Sequence, residues 1–227
     1  METKANAPMK WFQAHKYLVL LAIIIFALLS QSHIHGLEIA FAYIVLLVVF
    51  VSVFQHRWDR VVGLLIGIPT MVAEAIFRVL PEAHRFPAMV AYHALMTVFL
   101  AFAVVTILRD IFENRQIGFD HLLGAFSGFL LAGIAWGNLY LLIEVATPGA
   151  FAIDPGLTAQ LHHEQSRRFI FNYFSFMTLT TLGYGDITPV DPSACNLTWL
   201  EAMFGQFYVA VYIGQLMSLK ITSRTDA

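Results

Sequence analysis

The chain has 227 residues, a net charge of −2 and a single cysteine, so it has neither the basic surplus of a nucleic-acid-binding protein nor an intrachain disulfide. Hydrophobic residues make up 59% of the sequence and charged residues only 12%, and the mean hydropathy is +0.71. This apolar excess, arranged in long runs, excludes an ordinary soluble domain and predicts a polytopic membrane protein.

Six apolar segments each approach the ~20 residues that a helix needs to cross the hydrocarbon core of a membrane. The first is the weakest, because lysines precede its short apolar run as they would in a cleaved secretory signal. We interpret it as a retained helix, with cleavage as the alternative. The predicted spans are 17–34, 38–55, 61–80, 88–108, 121–146 and 196–219.

The first four spans form a predicted four-helix domain over 1–108. The fourth span contains no lysine or arginine, and His93 is its only residue that titrates near neutral pH. A mixed apolar and charged segment follows over 109–120, which predicts a helix lying on the membrane surface. A second domain over 121–227 contains the remaining spans. Both chain termini are predicted to be cytoplasmic, because nine of the thirteen basic residues then lie inside.

The loop between the last two spans contains a second apolar stretch at 169–180. As a helix it is about 18 Å long, which is too short to cross the membrane, so we predict that it enters and returns. Irregular backbone at that depth is tolerated only where it is buried in protein or lines water. The return path is "TLTTLGYGDITP", residues 178–189.

The return path predicts a row of carbonyl groups that all face one way. An extended strand points successive carbonyls to opposite sides, whereas alternation between right- and left-handed residues turns them together. Gly183 and Gly185 tolerate the left-handed conformation and alternate with Leu182 and Tyr184. Stacked carbonyl rings, with the Thr181 hydroxyl at the inner end, can replace the water shell of a cation.

This stretch resembles the signature of tetrameric potassium channels, and the chain looks like a bacterial six-helix member with one pore loop. Thr181, Leu182, Gly183, Tyr184 and Gly185 match the T-V-G-Y-G filter of the family, with leucine in place of valine. The resemblance implies K+ coordination at the first four of these residues. It also implies an all-α homotetramer, in which a re-entrant pore helix and the filter lie between helices 5 and 6.

The resemblance also implies supporting roles around the filter. Thr180 matches the first of the paired threonines, Tyr173 and Phe174 fall where aromatic residues brace the filter, and Asp186 matches the aspartate of the outer mouth. Family members often sense voltage through regularly spaced arginines in span 4. These are absent here, so we do not expect a voltage-sensing role for the first four helices.

Span 6 contains a candidate support and candidate gate residues. Glu201 is predicted to contact the back of the filter, with an interfacial carboxylate as the alternative. Gly205 lies where related channels have a hinge glycine, and close helix packing explains it equally well. Val209, Ile213 and Met217 recur at helical spacing and are predicted to line the lower pore, although other faces carry similar stripes.

Together these patterns predict a potassium-selective channel rather than an enzyme, with K+ as permeant ion and no cofactor. Its expected partners are membrane lipids and identical subunits, with no nucleic acid, and its expected location is the bacterial inner membrane. Two alternatives remain open. One is a weakly selective cation channel, which the replacement of valine by Leu182 makes plausible. The other is a non-conducting scaffold or sensor with a pore-like fold.

Overall fold

The computed structural model describes residues 15–30, 38–81, 84–113, 119–158 and 164–225. Long helices dominate these ranges, and one short antiparallel strand pair accompanies them. In chain order the elements are α1 (Lys16–Ser30), α2 (Glu38–Val53), α3 (Arg57–Val79), α4 (Arg85–Glu113), α5 (Phe119–Ala146), β1 (Phe151–Ile153), α6 (Pro155–Thr158), α7 (Glu164–Leu179), β2 (Ile187–Pro189) and α8 (Pro192–Thr225).

Several helices extend beyond the predicted spans. α4 continues through Glu113 because neither glycine nor proline interrupts residues 88–113. The first five residues of the predicted surface segment 109–120 therefore belong to α4, while residues 114–118 lie outside the described ranges. α7 begins five residues before the predicted 169, and α8 begins at Pro192 rather than 196.

Three of the described helices, α3, α4 and α5, are long and apolar enough to span a membrane. α1 is apolar but shorter, with its hydrophobic stretch over Lys16–Leu29. The protein is therefore a helical membrane protein, and the full count of six spans stays a prediction. The chain folds into two compact units, Met1–Ala132 and Gly133–Ala227, with the boundary inside α5. The predicted division at 108 and 120 remains untested.

In the first unit, α3 packs along α4, while α2 contacts α1, α3 and α4. The first turn of α1 contacts the end of α4. There Asp110 accepts a hydrogen bond from the Tyr17 hydroxyl (2.5 Å) and pairs with Lys16 (3.3 Å). The Tyr17 ring lies against the backbone of Gly124 in α5, where an added Cβ would come within 2.9 Å of the ring. The start of α1 thus contacts Asp110, which precedes residues 114–118, and Gly124, which follows them.

A second polar contact joins α3 to α4. The Asp59 carboxylate, whose side chain is 8% exposed, pairs with the guanidinium of Arg109, whose side chain is 45% exposed. Arg109 also approaches Glu113 at 3.9 Å, but that carboxylate is 63% exposed. A buried carboxylate that loses its partner is strongly destabilising, whereas an exposed pair contributes little.

We predict that Arg109→Gln lowers the free energy of unfolding by about 2 kcal/mol, because Asp59 stays buried without its cation. This is less than the ~3–5 kcal/mol typical of fully buried pairs, since water already reaches the guanidinium. Glu113→Gln is the matched control and should change stability by less than ~0.5 kcal/mol. Denaturant unfolding in detergent micelles measures both, and equal losses would contradict the assignment.

Candidate functional site

The short helix α7 is held against α5 through two glycines one turn apart. An added Cβ at Gly137 would collide with the side chain and backbone of Asn172, and one at Gly133 would collide with the Phe176 ring. Asn172 and Phe176 are themselves one turn apart on α7. Small residues at this spacing let two helix backbones approach closely, which is a common way of packing helices in membranes.

An aromatic cluster supports the middle of α7. Phe151 of β1 contacts Phe171 and Phe174 edge-on, with ring centroids 5.3 and 5.4 Å apart, and Tyr140 of α5 lies 5.1 Å from Phe174. All four rings are buried. The predicted bracing residue Phe174 thus lies inside this cluster. Aromatic pairs in such geometry stabilise packing by about 0.5–1.5 kcal/mol beyond their burial.

The sequence did not predict the strand pair, whose second strand, β2, begins directly after residues 180–186. β1 and β2 are antiparallel, with Phe151 opposite Pro189 and Ile153 opposite Ile187. The Glu144 carboxylate accepts hydrogen bonds from the backbone N–H groups of Gly149 (2.9 Å) and Phe151 (3.2 Å), which fixes the turn before β1. The three-residue strands were too short to give a periodic signal.

α7 ends in a Schellman-type cap. The N–H of Leu182 donates to the carbonyl of Met177 (2.8 Å) and the N–H of Thr181 donates to that of Thr178 (2.9 Å). The left-handed residue in such a cap is usually glycine, but here it is Thr181, with φ = 59°. A β-branched residue in this conformation is strained, and such strain often marks a functional site. Nothing in the sequence indicated this strain.

The sign of φ alternates along residues 181–185. Positive φ occurs at Thr181, Gly183 (52°) and Gly185 (80°), and not at Leu182 or Tyr184. The left-handed conformations expected at both glycines are therefore present. An added Cβ at either glycine would meet no atom of the same chain within 4 Å. All five residues are exposed in the single chain, as is Thr180, whose hydroxyl donates to the Phe176 carbonyl (2.6 Å).

Tyr173 and Asp186 meet behind this segment. The Tyr173 hydroxyl donates to the Asp186 carboxylate at 2.6 Å. The backbone of Asp186 is fixed as well, because its carbonyl accepts from the N–H of Asp154 (2.9 Å). The contact joins two residues assigned to filter support.

Glu201 of α8 is completely buried, and its carboxyl group contacts two other helices. One carboxyl oxygen is 2.6 Å from the Tyr140 hydroxyl of α5, and the other is 2.5 Å from the Ser175 hydroxyl of α7. The carboxyl group thus contacts the helix that precedes residues 181–185 and does not lie at an exposed interface. Sequence reasoning missed Tyr140 and Ser175. A polar residue inside the apolar run 169–180 was the available signal for Ser175.

Gly205 lies against the end of α7. An added Cβ would collide with the carbonyl oxygen of Leu179 and approach its carbonyl carbon at 3.0 Å. This is the close contact that the packing explanation requires, while a hinge at Gly205 stays a prediction. Val209 is on an exposed face of α8. The side chains of Ile213 and Met217 lie outside the described residues, although the backbone there is helical.

Gly205→Ala should lower the free energy of unfolding by ~1–3 kcal/mol, because the methyl group overlaps backbone atoms that cannot move independently. Gly67→Ala in α3 is the matched control, since its Cβ meets only the Phe99 ring at 3.3 Å and alanine favours the helix. Thermal unfolding in micelles should show no significant loss for the control. If the two variants unfold alike, the contact between α7 and α8 is looser than described.

Comparison with protein families gives one match. Residues 129–220 match the model of the family described as ion channel. No curated protein and no solved structure matches the chain. The matched residues begin in α5 and end in α8, so they include α7, the segment of alternating backbone hand and the β1–β2 pair. The C-terminal part of the protein therefore resembles an ion-channel domain, and this supports an ion-channel function.

Proposed function

We propose that the protein is a potassium-selective channel that conducts K+ passively through the backbone of residues 181–185. The observation that carries this proposal is the alternation of φ at Thr181, Gly183 and Gly185, within a range that matches an ion-channel family. This alternation is the backbone pattern that successive carbonyls need in order to face one side. Stacked carbonyls of this kind replace the hydration shell of K+.

The proposed filter requires four chains, because one chain supplies one edge of each oxygen cage. Several apolar side chains in this region are left exposed in the single chain, as a subunit contact requires. Leu182 is 52% and Tyr184 68% exposed, and on α8 the exposed fractions are 46% for Met203 and 64% for Phe207. Identical subunits around one axis would cover part of this surface, and membrane lipids the rest. We propose a homotetramer in the bacterial inner membrane with both termini cytoplasmic.

The filter is tested by comparing two glycines. Gly183 and Gly149 both have positive φ (52° and 84°), and an added Cβ meets no atom within 4 Å at either. Alanine therefore costs about the same backbone energy at each, roughly 1–2 kcal/mol. Gly183→Ala should abolish K+ flux into liposomes because it distorts the carbonyl row. Gly149→Ala lies outside that row and should conduct like the unmodified protein.

The outcomes separate the proposal from its alternatives. Equal flux through both variants would remove the filter assignment. Unmodified protein that passes Na+ as readily as K+ would be a weakly selective cation channel, the second candidate, which the replacement of valine by Leu182 makes plausible. Unmodified protein that inserts correctly but passes neither ion would be a non-conducting scaffold.

We also expect open probability to change only shallowly with voltage. Residues 88–108 contain no lysine or arginine, and Arg109 at the following position pairs with Asp59. One charge crossing the full field changes the energy by only ~2.3 kcal/mol per 100 mV, so steep gating needs several charges. Planar-bilayer recordings over a wide voltage range would measure this. Steep activation would mean that mobile charge resides elsewhere in the protein.

A further inference from the structure

The carboxyl group of Glu201 is enclosed by hydroxyl and carbonyl groups. Tyr140 Oη lies 2.6 Å from one carboxyl oxygen, and Ser175 Oγ lies 2.5 Å from the other. Ser175 Oγ is also 2.7 Å from the carbonyl oxygen of Gly133. Four polar groups from α5, α7 and α8 thus form one continuous chain of contacts, in a place where the glutamate side chain is shielded from water.

Counting protons determines which form of Glu201 satisfies the three short contacts. Tyr140 Oη also lies 3.4 Å from the carbonyl oxygen of Leu197, which is a much weaker contact. Each hydroxyl has one proton to donate. If the carboxyl group is ionised, Ser175 donates either to Glu201 or to Gly133, and one of these short contacts has no proton. If Glu201 is protonated, it donates to Ser175, Ser175 donates to Gly133, and Tyr140 donates to the other carboxyl oxygen. Only the protonated acid gives each of the three short contacts its own hydrogen bond.

The charges near Glu201 also favour its protonated form. Within the described residues, Asp59 pairs with Arg109 and Glu74 with Arg78, whereas Glu201 forms no ion pair. A buried carboxylate without a cation is costly, and such a group takes up a proton instead. Asp59 and Glu74, the other two buried carboxyl groups, therefore have a cationic partner that Glu201 lacks among the described residues.

The contact also has a mechanical consequence. Glu201 and Gly205 are one turn apart on α8, and their partners Ser175 and Leu179 are one turn apart on α7. One polar contact and one close backbone contact thus fix the position of α7 along α8. Thr181 follows Leu179 by two residues, so a shift of α7 moves the first residue of the proposed filter.

We propose that Glu201 is held as a neutral carboxylic acid and serves as a positioning residue for the filter, by donating a hydrogen bond to Ser175 of α7. The positioning role rests on the proposed channel function, whereas the protonation state does not. The neutral amide of Glu201→Gln can accept from Tyr140 and donate to Ser175, so it preserves the link. Alanine removes it.

Infrared spectroscopy tests the protonation state directly in the purified protein at neutral pH. The spectrum should contain the carbonyl band of a protonated carboxylic acid, and Glu201→Gln should remove that band. Glu144→Gln is the matched control, because Glu144 is only half-buried and its two carboxyl oxygens accept from backbone N–H groups. A spectrum without a band that depends on Glu201 overturns the proposal, whether or not the protein conducts.

Flux measurements in liposomes test the positioning role. Without this link α7 can shift along α8 and move the proposed filter, so Glu201→Ala should reduce the K+/Na+ permeability ratio by about tenfold or more. Glu201→Gln should remain within about twofold of the unmodified protein, and Ser175→Ala should resemble Glu201→Ala.

Two results would overturn the role, namely glutamine behaving like alanine, or alanine behaving like the unmodified protein. Unmodified protein that passes no K+ would refute the channel function and with it the positioning role. The infrared band would still decide the protonation state in that case.

Discussion

The C-terminal unit depends on how it supports a helix that is too short to cross a membrane. α7 has 16 residues and is about 24 Å long, against the ~30 Å of a hydrocarbon core. In the proposed re-entrant arrangement its backbone turns at a depth where unsatisfied polar groups are costly. The Schellman-type cap satisfies the carbonyls of Met177 and Thr178, and the glycines of α5 and α8 allow other helices to enclose the turn.

Support for the segment after α7 comes from two separate sides. On one side, Tyr173 binds the Asp186 side chain and Asp154 binds its backbone, next to the β1–β2 pair. On the other side, Ser175 and Leu179 contact Glu201 and Gly205. Residues 181–185 lie between these supports and are themselves exposed. Fixed ends with an exposed centre are compatible with the proposed filter, in which backbone groups contact an ion.

The buried carboxyl groups have different partners in the two units. In the first unit, Asp59 and Glu74 are balanced by arginines that reach toward water, with side chains 45% and 28% exposed. In the second, Glu201 is surrounded by hydroxyl groups alone among the described residues. The Asp59–Arg109 pair joins α3 to α4, whereas the Glu74–Arg78 pair lies within α3. A carboxyl group among hydroxyls can join helices deep inside the protein without placing a charge there.

The sequence by itself determined the membrane class, the apolar helices and the left-handed backbone at Gly183 and Gly185, because hydropathy and glycine spacing are local properties. It also predicted that Glu201 contacts the back of the proposed filter, with an interfacial carboxylate as the alternative. Only the tertiary structure decided that Thr181 is left-handed, that Tyr140 and Ser175 enclose Glu201, and that Gly205 packs on Leu179. The physical reason is distance along the chain. Glu201 lies 61 residues from Tyr140 and 26 from Ser175, and neither spacing leaves a periodic signal.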